Sequence, residues 1–282
     1  MDIKEHTTRM LKLIEMAQKN PDYELECLVK SNLSNKINDT DFNNVIRKVK
    51  GIPGIKLQSN SETLDIFLEE QKNMRYTING NLSINKYCKS NTLSALDSKN
   101  YNLISKRSVD KLDIGNYNMR FNLKKEEARK VNLDEISDWA KMYKFFRYKK
   151  RFSYITEDQL FSFDLTVVKS SSKINKTLPN TKKPKKSVDE FFKKFVIKPN
   201  KTPKFDEWWD GLKDDDIVEI RGKTTESQVS AKTLQASNTL TNDYDYEVEL
   251  EYLGNKANYK DEYSKILDKM IINFGIILQA IQ

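Results

Sequence analysis

The segment YDYEVELEYL, residues 244–253, alternates apolar and acidic residues along its length. Side chains on a β-strand point to the two faces in turn, so the pattern predicts a strand with Glu247, Glu249 and Glu251 on one face. A chain of this composition contains about 0.1 such glutamate quintets by chance. Neighbouring carboxylates on that face are about 6.7 Å apart and repel by roughly 2.5 kcal/mol at a dielectric constant of about 20. We therefore expect either an exposed strand or a strand that lines a cation site.

A shorter version of the same pattern occurs near the N-terminus, in YELECLVK, residues 23–30. Glu24 and Glu26 share one face of this predicted strand, and apolar residues occupy the other face. Two strands with carboxylates on one face suit Mg²⁺ or Mn²⁺, because these hard cations prefer oxygen ligands. A half-exposed strand with its acidic residues in solvent produces the same alternation and stays open as the alternative.

The opposite charge alternates in FRYKKRF, residues 146–152, where Arg147, Lys149 and Arg151 share one face. If these strands close into a barrel, acidic strands meet basic strands in its interior. Such a lumen matches a metal-bound polyphosphate, with carboxylates on the metal and basic side chains on the phosphate oxygens. A basic outer surface that binds an RNA backbone is the alternative. Other predicted strands contribute further charged residues: Arg75, Lys106, Arg107, Arg120, Asp164 and Lys169.

The composition excludes several classes of protein. The single histidine, His6, argues against Ser-His-Asp or Cys-His catalysis and against zinc held by histidines. Two cysteines cannot form a disulfide framework, which favours a reducing compartment. No apolar run approaches the ~20 residues of a membrane span, and no glycine-rich nucleotide-binding motif occurs. The net charge of +8 favours an anionic partner such as nucleic acid, or a lysine-rich surface in solvent.

Hydrophobic periodicity predicts an α+β fold that is mainly antiparallel β. The period of 3.6 predicts helices at 5–19, 40–51 and 260–279, with shorter helices near 83–90, 133–142 and 187–197. The period of two predicts strands at 23–30, 63–68, 73–79, 101–108, 117–123, 144–155, 160–169 and 244–253, with a short one at 217–220. Residues 1–282 are expected to form one domain, with a long insertion at about 170–240.

Four of these stretches resemble the motifs of the triphosphate tunnel metalloenzymes. The resemblance is to the RNA 5′-triphosphatase domain of mRNA capping enzymes from large cytoplasmic DNA viruses. In chain order the stretches are YELEC, FRYKKRFSY, FDLTVVKSS and YEVELEY. The resemblance implies an eight-stranded antiparallel tunnel barrel with surrounding helices. It also implies removal of the γ-phosphate from 5′-triphosphate RNA, the first step of mRNA capping. A non-catalytic RNA-binding module and a tunnel phosphatase for inorganic triphosphate or nucleotides stay open as alternatives.

The resemblance also assigns roles to individual residues. Glutamates of the first and last motifs are expected to bind Mn²⁺ or Mg²⁺, directly or through water: Glu24, Glu26, Glu249 and Glu251. The expected catalytic residues are Glu247, Asp164, Arg147, Lys149 and Arg151. Among them, Glu247 is expected to order water or basic side chains, and Asp164 to brace the basic residues or to help orient the attacking water. The expected substrate-binding residues are Arg75, Lys106, Arg107, Arg120 and Lys169.

Two departures from related motifs narrow the expected function and partners. Leu28 replaces the lysine of the ExExK pattern of thiamine triphosphatases and class IV adenylate cyclases, which counts against that subgroup. Residues 111–114, KLDI, lack the glycine of the KxDG guanylyltransferase motif. The resemblance therefore implies that a guanylyltransferase acts as a partner, as a C-terminal module of a longer polypeptide or as a separate subunit. It also implies a cytoplasmic setting, in a viral factory or virion, with the nucleus as the alternative and no membrane partner.

Overall fold

A computed structural model describes residues 3–29, 36–71, 73–114, 119–132, 137–174, 226–228, 230–254 and 262–281 of the chain. Its helices are α1 (Ile3–Lys19), α2 (Asp39–Lys50), α3 (Asn81–Ser90) and α4 (Tyr263–Ala280). Its strands are β1 (Tyr23–Val29), β2 (Lys56–Leu68), β3 (Met74–Asn79), β4 (Tyr101–Ile114), β5 (Met119–Arg129), β6 (Lys144–Ile155), β7 (Phe161–Ser170), β8 (Ser172–Ile174), β9 (Glu226–Gln228) and β10 (Asp245–Tyr252). No helix within these residues has the length and hydropathy needed to cross a membrane.

Eight of the strands close into an antiparallel barrel. Around the barrel the order is β1, β10, β7, β6, β2, β3, β4 and β5, and β5 pairs with β1 to complete the ring. The last strand of the barrel therefore lies beside the first, with Glu26 opposite Glu251 and Leu28 opposite Glu249. The predicted α+β class with an eight-stranded antiparallel barrel is confirmed, and so is the proximity of the two glutamate strands.

The hydrophobic core lies outside the barrel, between its outer surface and three of the helices. Leu25 and Cys27 of β1 and Leu250 of β10 are fully buried there. Helices α1, α2 and α4 cover these strands through apolar residues that include Met10 and Phe274. Fully burying an aliphatic or aromatic side chain contributes about 1.5–3 kcal/mol, so the outer face fixes which way each strand faces. The charged side chains of the same strands then point into the lumen.

A second apolar cluster covers β2, β3 and β4 on another side of the barrel. At its centre Trp139 packs edge-on against Tyr76, with 5.1 Å between the ring centroids. The indole N–H of Trp139 donates a hydrogen bond of 3.0 Å to the hydroxyl of Tyr87 in α3. This hydrogen bond links α3 to the apolar cluster on the outside of the barrel.

Several strands extend further than the sequence predicted. β2 begins at Lys56 instead of residue 63, and its first five residues are exposed and, apart from Leu57, polar. They carry no alternating apolar signal, but they pair with β6 through backbone hydrogen bonds across a bulge between Leu57 and Ser59. Similarly, β5 continues to Arg129 because it remains paired with β4 beyond Leu123, the last large apolar residue of the strand. Pairing with a neighbouring strand, not hydrophobicity, determines these ends.

The predicted helix near 133–142 is wrong for the residues that the structure describes, since 137–142 form turns. Hydrogen bonds link the backbone N–H of Lys141 to the carbonyl of Asp138 and that of Met142 to Trp139, which is the spacing of turns. The predicted helix at 187–197 and the predicted strand at 217–220 lie outside the described residues. Within the expected insertion, β8 pairs with β9, and Ala231 forms an isolated bridge with Lys144.

Candidate active site

The barrel contains a cavity of about 420 Å³ that is lined mainly by charged side chains from seven of its eight strands, and β2 contributes Phe67. The acidic residues in the lining are Glu24, Glu26, Glu126, Asp164, Glu247, Glu249 and Glu251. The basic residues in the lining are Arg75, Lys106, Lys124, Arg147, Lys149 and Arg151. The structure thus brings eleven of the fourteen predicted site residues into one cavity, which makes the lumen the candidate active site.

The two glutamate strands form one wall of the lumen. Because Glu26 and Glu251 are opposite one another in an antiparallel pair, their Cβ atoms are within about 5.5 Å. Only 6% of Glu26 is exposed. Burial opposes its ionisation, but the ammonium groups of Lys124 and Lys106 hold the pKa of Glu26 below its ordinary value. Burial, together with the carboxylates of Glu26 and Glu247, raises the pKa of Glu249 to about 7. This wall therefore carries more negative charge than its own basic neighbours neutralise.

Lys106 places its ammonium group among three carboxylates. Its Nζ lies 3.0 Å from Oε2 of Glu24 and 3.4 Å from Oε1 of Glu26, and it also contacts Glu126. Burial opposes the charge, but Glu26 and Glu24 raise the pKa of Lys106 above its ordinary value. The second oxygen of Glu26 contacts the Nζ of Lys124. In this structure the first glutamate strand thus holds two lysine ammonium groups.

The basic residues of β6 face this wall from across the lumen. Arg151 donates from Nη1 to Asp164 at 2.8 Å, from Nη2 to Glu249 at 3.3 Å and from Nε to the hydroxyl of Thr166 at 3.0 Å. Arg147 donates from Nη2 to Glu247 at 2.6 Å. These hydrogen bonds fix the guanidinium planes, whose forked donors match the oxygens of a phosphate group.

Asp65 of β2 is a charged residue near the lumen that the sequence did not reveal. It is fully buried, accepts a hydrogen bond of 2.9 Å from the hydroxyl of Thr77, and has Oδ2 2.5 Å from the Nζ of Lys149. It also lies opposite Arg147 in the pairing of β2 with β6. A lone acidic residue in the run TLDIFL gives no periodic signal, so only the barrel identifies Asp65 as the counterion of the basic strand.

The substitution Asp65→Asn tests this role. Asparagine keeps an acceptor for Thr77 but leaves the Lys149 ammonium, whose side chain is 12% exposed, without its counterion. Breaking a buried ion pair from one side costs about 3 kcal/mol, so we expect the free energy of unfolding in urea to fall by about that amount. Asp138→Asn, at an exposed ion pair with Lys141, is the matched control and should change it by less than about 0.5 kcal/mol. Equal values for the two variants would contradict the role of Asp65.

Three predicted substrate-binding residues lie outside the cavity lining. Arg107 is on the outer face of β4, because its neighbour Lys106 faces inward and adjacent residues of a strand face opposite ways. Arg120 is held by Asp113 through hydrogen bonds of 2.5 and 2.8 Å. Lys169 donates to the carbonyl of Leu240 and lies over the ring of an exposed tyrosine, so it is also on the outside. We therefore leave these three residues out of the proposed site.

The sequence also missed two lumen residues on β5, Lys124 and Glu126. They follow the point at which the predicted strand ended. Met119, Phe121 and Leu123 alternate outward as far as residue 123, and continuing the same period would have placed Lys124 and Glu126 inward. The signal was therefore present, but it required the strand to extend beyond its apolar residues.

The donor chemistry of the acidic wall fits Mg²⁺ or Mn²⁺. Its side chains offer carboxylate oxygens from two directly paired strands, the ligand type that these cations prefer. The ammonium group of Lys106 among three carboxylates shows that the wall already accepts a cation. Within the described residues, no three acidic, histidine or cysteine side chains form a preassembled metal cluster. The residues therefore fit the metal by chemistry, and ligation by Glu24, Glu26, Glu249 and Glu251 remains a prediction.

The fold is that of the tunnel-type RNA triphosphatases. The RNA triphosphatase domain of the trifunctional mimivirus mRNA capping enzyme superposes with a TM-score of 0.56 at 16% sequence identity, covering 99% of both chains. The mimivirus capping enzyme triphosphatase in a triclinic crystal gives a TM-score of 0.55 at 14% identity, covering 99% of this chain and 98% of the other. S. pombe Pct1 RNA triphosphatase gives 0.45 at 12% identity, with 97% and 90% covered. No protein-family model and no curated protein sequence matches the chain.

Proposed function

We propose that this chain is a metal-dependent RNA 5′-triphosphatase, with residues 1–282 forming one triphosphatase domain that carries an insertion at about 170–240. The observation that carries the proposal is a single enclosed lumen in which the glutamates of β1 and β10 face the basic residues of β6. The tunnel fold shared with the mimivirus RNA triphosphatase domain supports it. Removal of the γ-phosphate would leave a 5′-diphosphate end on the RNA.

The size and charge of the lumen support a small polyanion together with a cation. A volume of about 420 Å³ lies within the range of about 300–1,000 Å³ that small-ligand sites occupy. Six basic side chains against seven acidic ones give the lining a formal charge of −1. A triphosphate brings several further negative charges into this space. Its binding therefore needs added positive charge, which a divalent cation held by the glutamates would supply.

The basic residues of β6 would hold and neutralise the phosphate groups. When water attacks the γ-phosphorus and the bond to the bridging oxygen breaks, negative charge develops on the transferring phosphoryl group and on the leaving oxygen. Arg147, Lys149 and Arg151 can donate to those oxygens from fixed positions. A bound Mg²⁺ or Mn²⁺ would add Lewis-acid stabilisation of the same charge. Asp164 and Glu247 orient Arg151 and Arg147 and offer acceptors that can position water.

Release of phosphate from γ-labelled 5′-triphosphate RNA tests the proposal. We expect release with Mg²⁺ or Mn²⁺ and none with a chelator, because the lining alone does not neutralise a triphosphate. The same assay with inorganic tripolyphosphate and ATP separates the related activities. Release from these compounds but not from RNA would favour a general tunnel phosphatase. RNA binding without phosphate release under any condition would favour the non-catalytic RNA-binding module.

The product of this reaction suggests the partners. A 5′-diphosphate RNA end is the acceptor for guanylyl transfer, so we propose that a guanylyltransferase acts next, as a C-terminal module of a longer polypeptide or as a separate subunit. The mimivirus relative is part of a trifunctional mRNA capping enzyme, which supports this context. We propose a cytoplasmic setting in a viral factory or virion on the same basis.

A further inference from the structure

The first glutamate strand is neutralised by side chains of the protein itself. Both carboxylate oxygens of Glu26 are occupied, Oε1 by the Nζ of Lys106 and Oε2 by the Nζ of Lys124. Glu24 is held by the same Lys106 ammonium group, at 3.0 Å. Each oxygen keeps a second lone pair, but a divalent cation that binds there meets the positive charge of an ammonium group on the same oxygen, so direct binding favours displacement of the lysines.

We propose that Lys106 and Lys124 are exchangeable counterions, which neutralise Glu24 and Glu26 until a divalent cation displaces them. The inference deepens the proposed function, on which it rests for the identity of the metal ligands. The carboxylates of β1 then have a positive partner in both states, the lysines in one and the divalent cation in the other. The cost of moving the lysines lowers the affinity of the wall for the cation.

The geometry allows the two lysines to move. Their side chains are 24% and 22% exposed, both toward the lumen, so each ammonium group has open space to enter. A lysine ammonium is a point charge on a flexible four-carbon stem, which can change partners without moving the backbone. Arg151 differs in this respect, because its planar guanidinium is fixed by three separate acceptors, two on β7 and one on β10.

Competition between an ammonium group and a divalent cation gives the lysines an effect opposite to that of ordinary site residues. Removing a residue that supports a metal site weakens metal binding, and removing a competitor strengthens it. Methionine has a similar length to lysine and no charge, so Lys124→Met and Lys106→Met remove the competitor with little change in volume. Lys125→Met is the matched control, because Lys125 lies on the outer face and contacts Asp22 and Glu127.

Binding of Mn²⁺ alone, measured by isothermal titration calorimetry, tests the inference without RNA and without hydrolysis. We expect the dissociation constant to fall by at least about tenfold in Lys124→Met or Lys106→Met, and to stay within about twofold of wild type in Lys125→Met. A variant whose circular dichroism spectrum is that of a folded protein only when Mn²⁺ is added also supports the inference, because the cation then replaces the missing ammonium group.

An unchanged or weaker affinity in both folded lumen variants would overturn the inference, as would failure of both to fold with and without Mn²⁺. The outcome is separable from that of the proposed function. If Mn²⁺ binds the variants more tightly but the wild type releases no phosphate from RNA, the lysines are counterions and the proposed enzymatic function is wrong. If the wild type releases phosphate but the variants bind Mn²⁺ with unchanged affinity, the proposed function holds and the counterion role is wrong.

Discussion

Glu26→Ala and Glu251→Ala are each expected to abolish phosphate release from triphosphate RNA and the rise in melting temperature on adding Mn²⁺. The two carboxylates come from directly opposed positions of β1 and β10, so either substitution removes one carboxylate of the opposed pair. A cation at 100 times its dissociation constant stabilises the folded state by about 2.7 kcal/mol, which is the effect that should disappear. Phosphate release and thermal melting with Mn²⁺ or chelator measure both results.

Glu26→Ala should also change the stability of the protein without metal. If the four carboxylates only repelled one another, removing Glu26 or Glu251 would leave the stability unchanged or raise it. The structure changes this expectation for Glu26, because Lys124 and Lys106 bind it and would lose a buried partner. We expect Glu26→Ala to lower the free energy of unfolding by about 2 kcal/mol. Glu127→Ala, on the outer face of β5, is the control and should keep both activity and the metal-dependent shift. A Glu26 or Glu251 variant that keeps both would remove the pair from the site.

Arg151→Ala is expected to reduce the turnover number by about 10²–10³-fold, with smaller losses in Arg147→Ala and Lys149→Ala. Arg151 presents its guanidinium to the lumen from a position fixed by Asp164, Glu249 and Thr166. Arg151→Lys should recover only part of the loss, because lysine cannot make the forked contact. Steady-state phosphate release at saturating RNA and metal measures the turnover number.

Lys150→Ala is the matched control for the basic strand. Lys150 lies between the three lumen residues on the same strand but on the outer face, where its side chain is 44% exposed and 3.7 Å from Glu62. Its removal should leave turnover within about twofold of wild type. Arg151→Ala also leaves the buried Asp164 without its partner, so each variant must be assayed below its own melting temperature. Equal turnover in the Arg151, Lys149 and Lys150 variants would exclude the lumen face of β6 from catalysis.

The sequence was sufficient to predict which charged residues share one face of a strand. Apolar and charged residues alternate over 23–27 of β1 and 246–252 of β10, and over 146–152 of β6 only Lys150 interrupts the alternation. Alternation is a local property of an extended chain. Adjacent basic residues were not predictable in the same way, because Lys106 and Arg107 cannot both face the lumen and their composition does not say which does. Asp65 had no periodic signal, so its position beside Lys149 was beyond a sequence argument.

The sequence by itself determined the strands, their polar faces and most of the side chains that line the lumen. Only the tertiary structure decided which of those side chains meet, because Glu26 and Glu251 come from opposite ends of the chain and their register depends on closure of the barrel. It also decided that Lys106 and Lys124 neutralise the first glutamate strand. The face on which a side chain lies follows from alternation within its own strand. The residues that it contacts in the lumen depend on how the eight strands pair and on which outer faces the helices bury.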